Sequence, residues 1–259
     1  MSPLLSNTYF SQWKSMLDID LKTVFSSLQE NTLAPNSFTF YTSVSVMSSS
    51  KIEGEQLEVD SYVKHKILNI EYLPELTQKP NDLYEAYLFA KDNRLTKSNF
   101  SKVHQLITTH LLPKSQQGVL RNTEMLVMEH KTGRIQYEAA SLSKVEDLYN
   151  QLWIEIDALL RKELTIDEVF YYASFLHLTC VNIHPFGDGN GRISRLLEKW
   201  FLAEKLGTNA WYIKSEKYYY QQVNDYYKNL ARLGIFHDSL DYHKSIPFLL
   251  MLPSSLVFE

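Results

Sequence analysis

The chain of 259 residues is long enough for one large or two small domains, and its 44% hydrophobic content is ordinary for a globular protein. The net charge of −4 argues against broad nucleic-acid binding, which favours a basic face, and the single cysteine, Cys180, excludes an internal disulfide. The sequence shows no signal-peptide pattern and no long uncharged apolar run, so we expect a cytoplasmic protein that does not enter a membrane.

The N-terminal part of the chain is predicted to be helical because its apolar residues recur at helical spacing. The predicted helices there are Thr8–Glu30, Phe38–Ile52, Leu57–Leu68 and Asn81–Lys91. Pro80 is expected to break the chain between the last two, since proline lacks the N–H group that an interior helical position needs. These helices belong to a predicted N-terminal helical region, residues 1–95.

Capping signals predict where the later helices begin. Thr96 is expected to cap a helix that runs to Leu111. Capping boxes are predicted at Ser143-x-x-Glu146 and Thr165-x-x-Glu168, the first opening a long helix to about Glu163. The histidines of these helices are interpreted as surface or satisfied polar groups at His104 and His110, and as a buried structural residue at His177.

One β-hairpin is predicted between residues 118 and 140. The β-prone run Met125–Met128 and the run Arg134–Tyr137 flank a turn at His130–Gly133. An isolated hairpin has an unpaired edge, which can accept a segment of another protein as an added strand. The alternative is a hairpin that only covers the core.

Three of the chain's 8 glycines, Gly187, Gly189 and Gly191, lie close together before a predicted helix. Glycines at such a position allow positive φ and close approach of a ligand to the backbone, so several N–H groups can point at one anion. Arg192 and Arg195 follow at i, i+3 and share one helix face. The pattern predicts a site for a polyanion such as a nucleotide phosphate chain.

Two further side chains suit chemistry at such a site. Asp188 has the wrong sign for a bare phosphate site but is a suitable ligand for Mg²⁺ bridging phosphate oxygens. His184 is the group in this segment that could take a proton near neutral pH. A plain glycine-rich turn between two helices would explain the glycines but neither the two arginines nor the histidine.

The segment His-Pro-Phe-Gly-Asp-Gly-Asn-Gly-Arg-Ile-Ser-Arg at 184–195 resembles the Fic family signature His-Pro-Phe-x-Asp/Glu-Gly-Asn-Gly-Arg-x-x-Arg at every fixed position. Other phosphate and metal motifs do not fit. A Walker loop would need Gly-Lys-Ser/Thr, the dinucleotide fingerprint needs G-x-G-x-x-G after a strand, and an EF-hand start fails because Arg192 takes a ligand position.

The resemblance implies a mainly α-helical Fic fold with the hairpin as a flap over the active site, and a catalytic core at 96–259. It also implies protein adenylyltransferase activity: AMP moves from ATP, with Mg²⁺, to a Ser, Thr or Tyr hydroxyl of a target protein. His184 would accept the hydroxyl proton, Asp188 would hold the metal, and the Asn190 side chain and neighbouring amides would contact phosphate. The implied ATP-binding residues are Asp188, Gly189, Asn190, Gly191, Arg192, Ile193, Ser194, Arg195, Tyr226, Met125, Leu126, Val127 and Met128.

The run Ser49-x-x-x-Glu53-Gly54 resembles the inhibitory motif of Fic proteins. The resemblance implies that Glu53 pairs with Arg195 and so occupies the arginine that would otherwise hold the γ-phosphate, with Ser49 as part of the motif. The alternative is a capped helix end with an exposed glutamate.

Two other functions stay open for the same site. One is removal of AMP from a modified protein, with Glu53 positioning a water. The other is a nucleotide-sensing regulator with little turnover. The implied partners are a target protein docked along the hairpin, the chain itself as a substrate, and a second copy in a homodimer that the N-terminal helices could form; neither nucleic acid nor membrane is expected.

Overall fold

The computed structural model describes residues 3–30, 37–128 and 135–258, and these residues are mainly α-helical. The α-helices of the described residues are α1 (Phe10–Ser15), α2 (Leu21–Glu30), α3 (Ser37–Ile52), α4 (Val59–Leu68), α5 (Pro74–Asp92), α6 (Lys97–Ile107), α7 (Leu142–Arg161), α8 (Ile166–Ile183), α9 (Asn190–Leu206), α10 (Ser215–Gln221), α11 (Val223–Ala231), α12 (Ile246–Leu249) and α13 (Met251–Ser254). The two strands are β1 (Leu126–Met128) and β2 (Ile135–Glu138), which pair antiparallel. The predicted fold class, helices with one hairpin, is confirmed.

The core is built around α8 and α9, which make the most extensive helix–helix contact. Nearly every side chain of α8 is buried, because this helix is covered by others on all its faces. Cys180 is fully buried in α8, and burial raises the pKa of its thiol to about 12, as expected for a core residue. None of the helices in the described ranges is long and apolar enough to span a membrane.

The predicted helix Thr8–Glu30 is wrong: the chain forms two helices, α1 and α2, with a break between them. The break follows from Asp20, whose Oδ1 accepts from the Lys22 N–H at 3.2 Å and whose Oδ2 accepts from the Thr23 hydroxyl. An aspartate in this position satisfies the free amides at a helix start, so it begins a new helix. Trp13 anchors α1 by donating from Nε1 to the Leu249 carbonyl at 3.0 Å.

The predicted break at Pro80 is also wrong, because α5 continues through that proline. An interior proline costs a helix about 3 kcal/mol. Buried side chains on both sides of Pro80, including Thr77, Leu83 and Tyr84, hold this helix against the core and offset that cost. Packing therefore outweighs the local preference here.

Of the three predicted helix caps, two are present in the structure and one is not. The box at Thr165 and Glu168 is confirmed, with both reciprocal hydrogen bonds present at the start of α8. The box at Ser143 is wrong: α7 begins at Leu142, whose N–H donates to the Glu124 carboxylate at 3.0 and 3.1 Å. A carboxylate from a distant part of the chain thus replaces the local cap. Thr96 caps α6 as predicted, and that helix ends at Ile107 rather than Leu111.

The hairpin is short, and its pairing shifts between Val127 and Met128. The predicted turn at 130–133 lies outside the described residues. The Tyr137 hydroxyl donates to the Asn182 carbonyl of α8 at 2.8 Å, and the Glu138 N–H donates to the Ile235 carbonyl at 2.7 Å. The hairpin is therefore attached both to α8 and to the loop that follows α11.

Candidate active site

The loop between α8 and α9 has an unusual backbone that fixes the direction of its groups. His184 ends α8 with φ 54° and ψ 59°, and Gly189 precedes α9 with φ 77°. The left-handed conformation is rare for a residue with a side chain, so His184 is held there by its surroundings. α9 then starts at Asn190, and its first free N–H groups face away from the helix body.

The His184 imidazole is oriented by its own helix. Its Nδ1 lies 3.1 Å from the Val181 carbonyl and donates to it, which leaves Nε2 as the acceptor atom. The ring is half-buried, and burial holds the pKa of His184 below its usual value of 6.5, with the Arg121 charge acting in the same direction. The ring is therefore mostly unprotonated at neutral pH and can accept a proton at Nε2.

The Asn190 side chain holds the loop closed. Its Oδ1 accepts from the Phe186 N–H at 3.0 Å, and its Nδ2 donates to the Phe186 carbonyl at 2.8 Å. Both polar groups of this buried amide are thereby used within the loop. The Nδ2 carries a second hydrogen, so the contact between this side chain and phosphate stays a prediction.

Arg195 is 1% exposed, and the end of α3 surrounds it. Its Nε donates to the Ser49 hydroxyl at 2.8 Å, and one terminal nitrogen donates to the Ser49 carbonyl at 3.2 Å and to Glu53 Oε1 at 2.6 Å. The other terminal nitrogen lies 3.3 Å from the Tyr226 hydroxyl. The residues predicted from two distant motifs, Ser49 with Glu53 and Arg195, are thus in direct contact.

Glu53 is ionised in this contact. Although burial alone would raise its carboxyl pKa, the charges of Arg195 and Arg192 lower it below the usual value. A Cβ at position 191 would overlap Glu53 Oε1, so the carboxylate fits only because Gly191 has no side chain. Glu53, Gly191 and Arg195 therefore form one tightly packed group.

Arg192 is 4% exposed and more loosely held. One terminal nitrogen lies 3.6 Å from Glu55 Oε1, and that same oxygen accepts from Lys79 Nζ at 2.9 Å. The Nε of Arg192 has no hydrogen-bond partner within the described ranges. The segment after α3 thus places a carboxylate beside each of the two predicted phosphate-binding arginines.

A cavity of about 600 Å³ lies in front of His184. Its lining includes the predicted site residues His184, Gly191, Arg195, Glu53, Tyr226 and Val127. Of the other predicted flap residues, Leu126 and Met128 are about half exposed and Met125 is partly buried. The side chains of Ile193 and Ser194 are fully buried in the core, so only their backbone could reach a ligand.

Comparison with known proteins agrees with this geometry. Residues 94–202 match the sequence pattern of the Fic/DOC family, and that range contains the whole loop and most of α9. Residues 94–202 form a Fic domain. A curated relative named Protein adenylyltransferase Fic, from Nematostella vectensis, is 32% identical over 110 residues; the match spans 42% of this chain and only 23% of the length of that relative.

Solved structures show the same fold at low identity. A Fic family protein from Desulfovibrio desulfuricans G20 superposes with a TM-score of 0.76 at 18% identity, covering 99% of this chain and 74% of that one. A Fic domain containing signaling protein from Bacteroides thetaiotaomicron gives 0.65 at 21% identity, covering 92% of both chains. Fic-1 from C. elegans gives 0.64 at 16% identity, covering 97% of this chain and 69% of that one.

The loop between α8 and α9, residues 184–189, is called the Fic loop below, and Asp188 in it is the candidate Mg²⁺ ligand. Its side chain is exposed at the edge of the loop, and Oδ1 accepts from the Gly189 N–H at 2.6 Å, which fixes the carboxylate in place. No group of three or more His, Cys, Asp or Glu that could hold a metal occurs in the described part of the chain. This arrangement fits a Mg²⁺ ion that takes one carboxylate from the protein and its other ligands from phosphate and water.

His104 supports the Fic loop in a way that the sequence analysis missed. Its ring stacks on Phe186 with centroids 3.8 Å apart, Nε2 donates to the Asp188 carbonyl at 3.0 Å, and Nδ1 accepts from the Gly118 N–H at 2.8 Å. Burial lowers the pKa of His104 to about 4. Its spacing of four residues from Phe100 on α6 was the available signal, because it places His104 on the buried face.

Arg121 is the second supporting residue. Its backbone N–H donates to the Pro185 carbonyl at 2.9 Å, and its Nε donates to the His184 carbonyl at 2.8 Å. The two terminal nitrogens donate to the Thr123 carbonyl at 2.7 Å and to the Ala140 carbonyl. One guanidinium therefore joins the Fic loop to both ends of the segment that contains the hairpin.

Proposed function

We propose that this Fic protein transfers AMP from ATP to a hydroxyl group of a target protein, and that Glu53 restrains this activity. One observation carries the proposal: the acceptor Nε2 of His184 and the 2.6 Å pair between Glu53 and Arg195 belong to the same cavity. Fic domains are generally nucleotidyl transferases, and the name of the Nematostella relative agrees with that class.

In the proposed reaction His184 is the general base. A hydroxyl oxygen of the target attacks the α-phosphorus while its proton moves to His184 Nε2, and the bond from that phosphorus to the bridging oxygen breaks. Pyrophosphate leaves, and AMP stays on the target. Free N–H groups at the start of α9 would stabilise the added negative charge on phosphate.

The two arginines would orient the leaving group. Arg192 and Arg195 would bind the β- and γ-phosphates, and Asp188 would hold Mg²⁺, which neutralises phosphate charge when bound. The Asn190 side chain would hold the loop through its two bonds to Phe186, and the second hydrogen of its Nδ2 would donate to a phosphate oxygen. Val127 and Tyr226 would pack against the nucleotide from the flap and from α11.

Glu53 would act by competition for Arg195. While that arginine donates to Glu53, it lacks a free donor for the γ-phosphate, so the triphosphate cannot take the orientation required for in-line attack. A target would dock along the free edge of the hairpin and place its hydroxyl near His184. The same reaction could modify a side chain of the chain itself.

The first prediction tests Glu53 and His184 with ATP that is labelled at the α-phosphate. Glu53→Gly should increase transfer of label to itself or to lysate proteins by about 100-fold, because it frees Arg195. Glu53→Gly combined with His184→Ala should lower that transfer by at least about 100-fold while ATP binding persists. Measurement is by gel autoradiography for transfer and by calorimetry for binding.

Other outcomes of these experiments would distinguish AMP transfer from nucleotide sensing and from AMP removal. Undiminished transfer without His184 would rule it out as the base. If Glu53→Gly binds ATP but labels nothing, a nucleotide-sensing function is favoured. Glu53 also lies in the cavity with His184, where a carboxylate can orient water; release of AMP from a pre-modified protein by the wild type, lost in Glu53→Gly, would favour AMP removal.

A further inference from the structure

We propose that Lys79 and Arg192 together form a subsite for the terminal phosphates, and that Glu55 occupies this subsite as a second restraining carboxylate. This inference rests on the proposed function for the direction of the phosphate chain along α9. Its new elements are Lys79, which lies outside the Fic-matched residues 94–202, and Glu55, which lies outside the predicted inhibitory motif.

The position of one oxygen defines the subsite. Glu55 Oε1 lies 2.9 Å from Lys79 Nζ and 3.6 Å from a terminal nitrogen of Arg192. An oxygen shared by an ammonium and a guanidinium has the surroundings that a phosphate oxygen has in its binding sites. Glu55 Oε1 therefore stands in the place of a phosphate oxygen.

Arg192 is incompletely satisfied in this arrangement. The side chain is nearly buried, its ion pair with Glu55 is long, and its Nε has no hydrogen-bond partner among the residues described. A buried donor without an acceptor is unfavourable and marks a place where a ligand can supply one. A phosphate group has more acceptor oxygens than a carboxylate, so it can satisfy both the terminal nitrogen and Nε.

Two other carboxylates, Glu53 and Asp82, lie near Arg192, and both already have partners. The Glu53 carboxylate accepts from Arg195 at 2.6 Å. The charge of Arg192 acts on Asp82, but the Asp82 oxygens accept from the His110 backbone N–H at 2.9 Å and from His110 Nδ1 at 2.8 and 2.9 Å. Glu55 is thus the residue that competes with phosphate for Arg192. Because Glu53 and Glu55 are separated by Gly54 alone, displacement of this short segment would free both arginines and Lys79 together.

The subsite is tested by comparing ligands that do and do not carry terminal phosphates. In the Glu53→Gly background, adding Glu55→Gln should lower the Kd for Mg·ATP by about tenfold, since a competing charge is removed while the side-chain shape is kept. The Kd for AMP should stay unchanged, because AMP lacks the β- and γ-phosphates. Isothermal titration calorimetry measures both.

Lys79 is tested in the variant that carries both Glu53→Gly and Glu55→Gln. Adding Lys79→Gln should raise the Kd for Mg·ATP and for inorganic pyrophosphate by about tenfold, and leave the Kd for AMP unchanged. The matched control is Lys64→Gln, which removes the same charge from an exposed lysine paired with Asp60 on α4. Circular dichroism and thermal melting establish that each variant is folded.

Several results would overturn the subsite: equal effects of Lys79→Gln and Lys64→Gln, equal changes for ATP and AMP, or no pyrophosphate binding once both glutamates are replaced. Its failure is separable from failure of the proposed function. Pyrophosphate binding that depends on Lys79, in a protein that transfers no labelled AMP, would support the subsite and contradict the transferase. Transfer of labelled AMP that is unaffected by Lys79→Gln would support the transferase and contradict the subsite.

Discussion

A single guanidinium, that of Arg195, connects the proposed phosphate site to a buried polar network. Arginine cannot accept hydrogen bonds, so the Tyr226 oxygen accepts from Arg195 and its proton is available to His177 Nε2 at 2.9 Å. The His177 Nδ1–H then donates to Glu198 at 2.9 Å. Burial raises the pKa of Tyr226 to about 12, so the hydroxyl keeps this proton at neutral pH. The network fixes the direction of Arg195 before any ligand binds.

The second prediction concerns the pH dependence of His184. A general base acts in its unprotonated form, and burial lowers the pKa of His184 below 6.5, so transfer should persist at a lower pH than for a free imidazole. The Glu53 charge raises that pKa, so Glu53→Gly should lower it further. In that variant, kcat/KM for AMP transfer should therefore rise with pH to a plateau, with a midpoint below 6.5. A midpoint above 6.5, measured between pH 5 and 8, would contradict the environment described for His184.

The hairpin is held in position by contacts with the rest of the fold. β1 and β2 have three and four residues, too few for a two-stranded sheet to be stable alone. The Tyr137 hydroxyl donates to α8, and Arg121 joins the ends of the hairpin segment to the Fic loop. The hairpin and His184 are thus positioned by the same side chain.

The third prediction is that Arg121→Ala destabilises the hairpin and the loop that contains His184 at the same time. The change would leave the carbonyls of His184, Thr123 and Ala140 without their donor, which should lower the free energy of unfolding by about 3 kcal/mol. Amides of β1 and β2 should exchange hydrogen faster. Arg94→Ala, which removes an exposed arginine 3.9 Å from Glu204, should change neither quantity. Urea unfolding and hydrogen exchange by mass spectrometry are the measurements, and an unchanged exchange rate in the hairpin would refute this role of Arg121.

The elements also show which features the sequence could predict. The start of α8 was predicted, because its capping box, Thr165 with Glu168, is a local pattern that the sequence contains in full. The break at Asp20 was missed, since a side-chain cap inside an apolar pattern leaves the spacing unchanged. The proline of α5 and the Glu124 cap of α7 depend on contacts between distant parts of the chain. The Fic loop was predictable because its chemistry needs particular residues in sequence; His104, on another helix, left only a weak signal.

For the whole molecule, the N-terminal helices and the Fic domain share one continuous hydrophobic core. α3 packs on α4, α5, α9 and α10, and its C-terminal end thereby delivers Ser49 and Glu53 to Arg195, 142 residues away in sequence from Glu53. A short motif could suggest this contact but not establish it, because the distance depends on how α3 packs against four other helices. Separation of Glu53 from Arg195 therefore requires the displacement of a segment that is joined to the core of the molecule.

The fourth prediction, also for the whole molecule, is a loss of stability in mild acid that comes from His104. The folded-state pKa of His104 is about 4 and the unfolded value about 6.5, so between these values the unfolded chain binds a proton that the folded chain excludes. The contribution of His104 is therefore complete above pH 6.5 and is lost as the pH falls towards 4, by about 3 kcal/mol in total. The cause is structural: Nδ1 must stay unprotonated to accept from the Gly118 N–H, and the ring lies between α6 and Phe186 without contact to water.

The variant His104→Phe separates the contribution of His104 from the contributions of the other histidines. Phenylalanine keeps the stack on Phe186 but cannot titrate, so the variant should be less stable at pH 7.5 and should lose less stability on acidification than the wild type. His184 and His237, whose pKa values burial also lowers, contribute in the same direction in both proteins and cancel in the difference. Urea unfolding at intervals from pH 7.5 to pH 4.5 measures the difference in the free energy of unfolding between the two proteins. Parallel curves for the two proteins would mean that His104 is not the titrating group, and that the loop is held against α6 by packing rather than by the unprotonated imidazole.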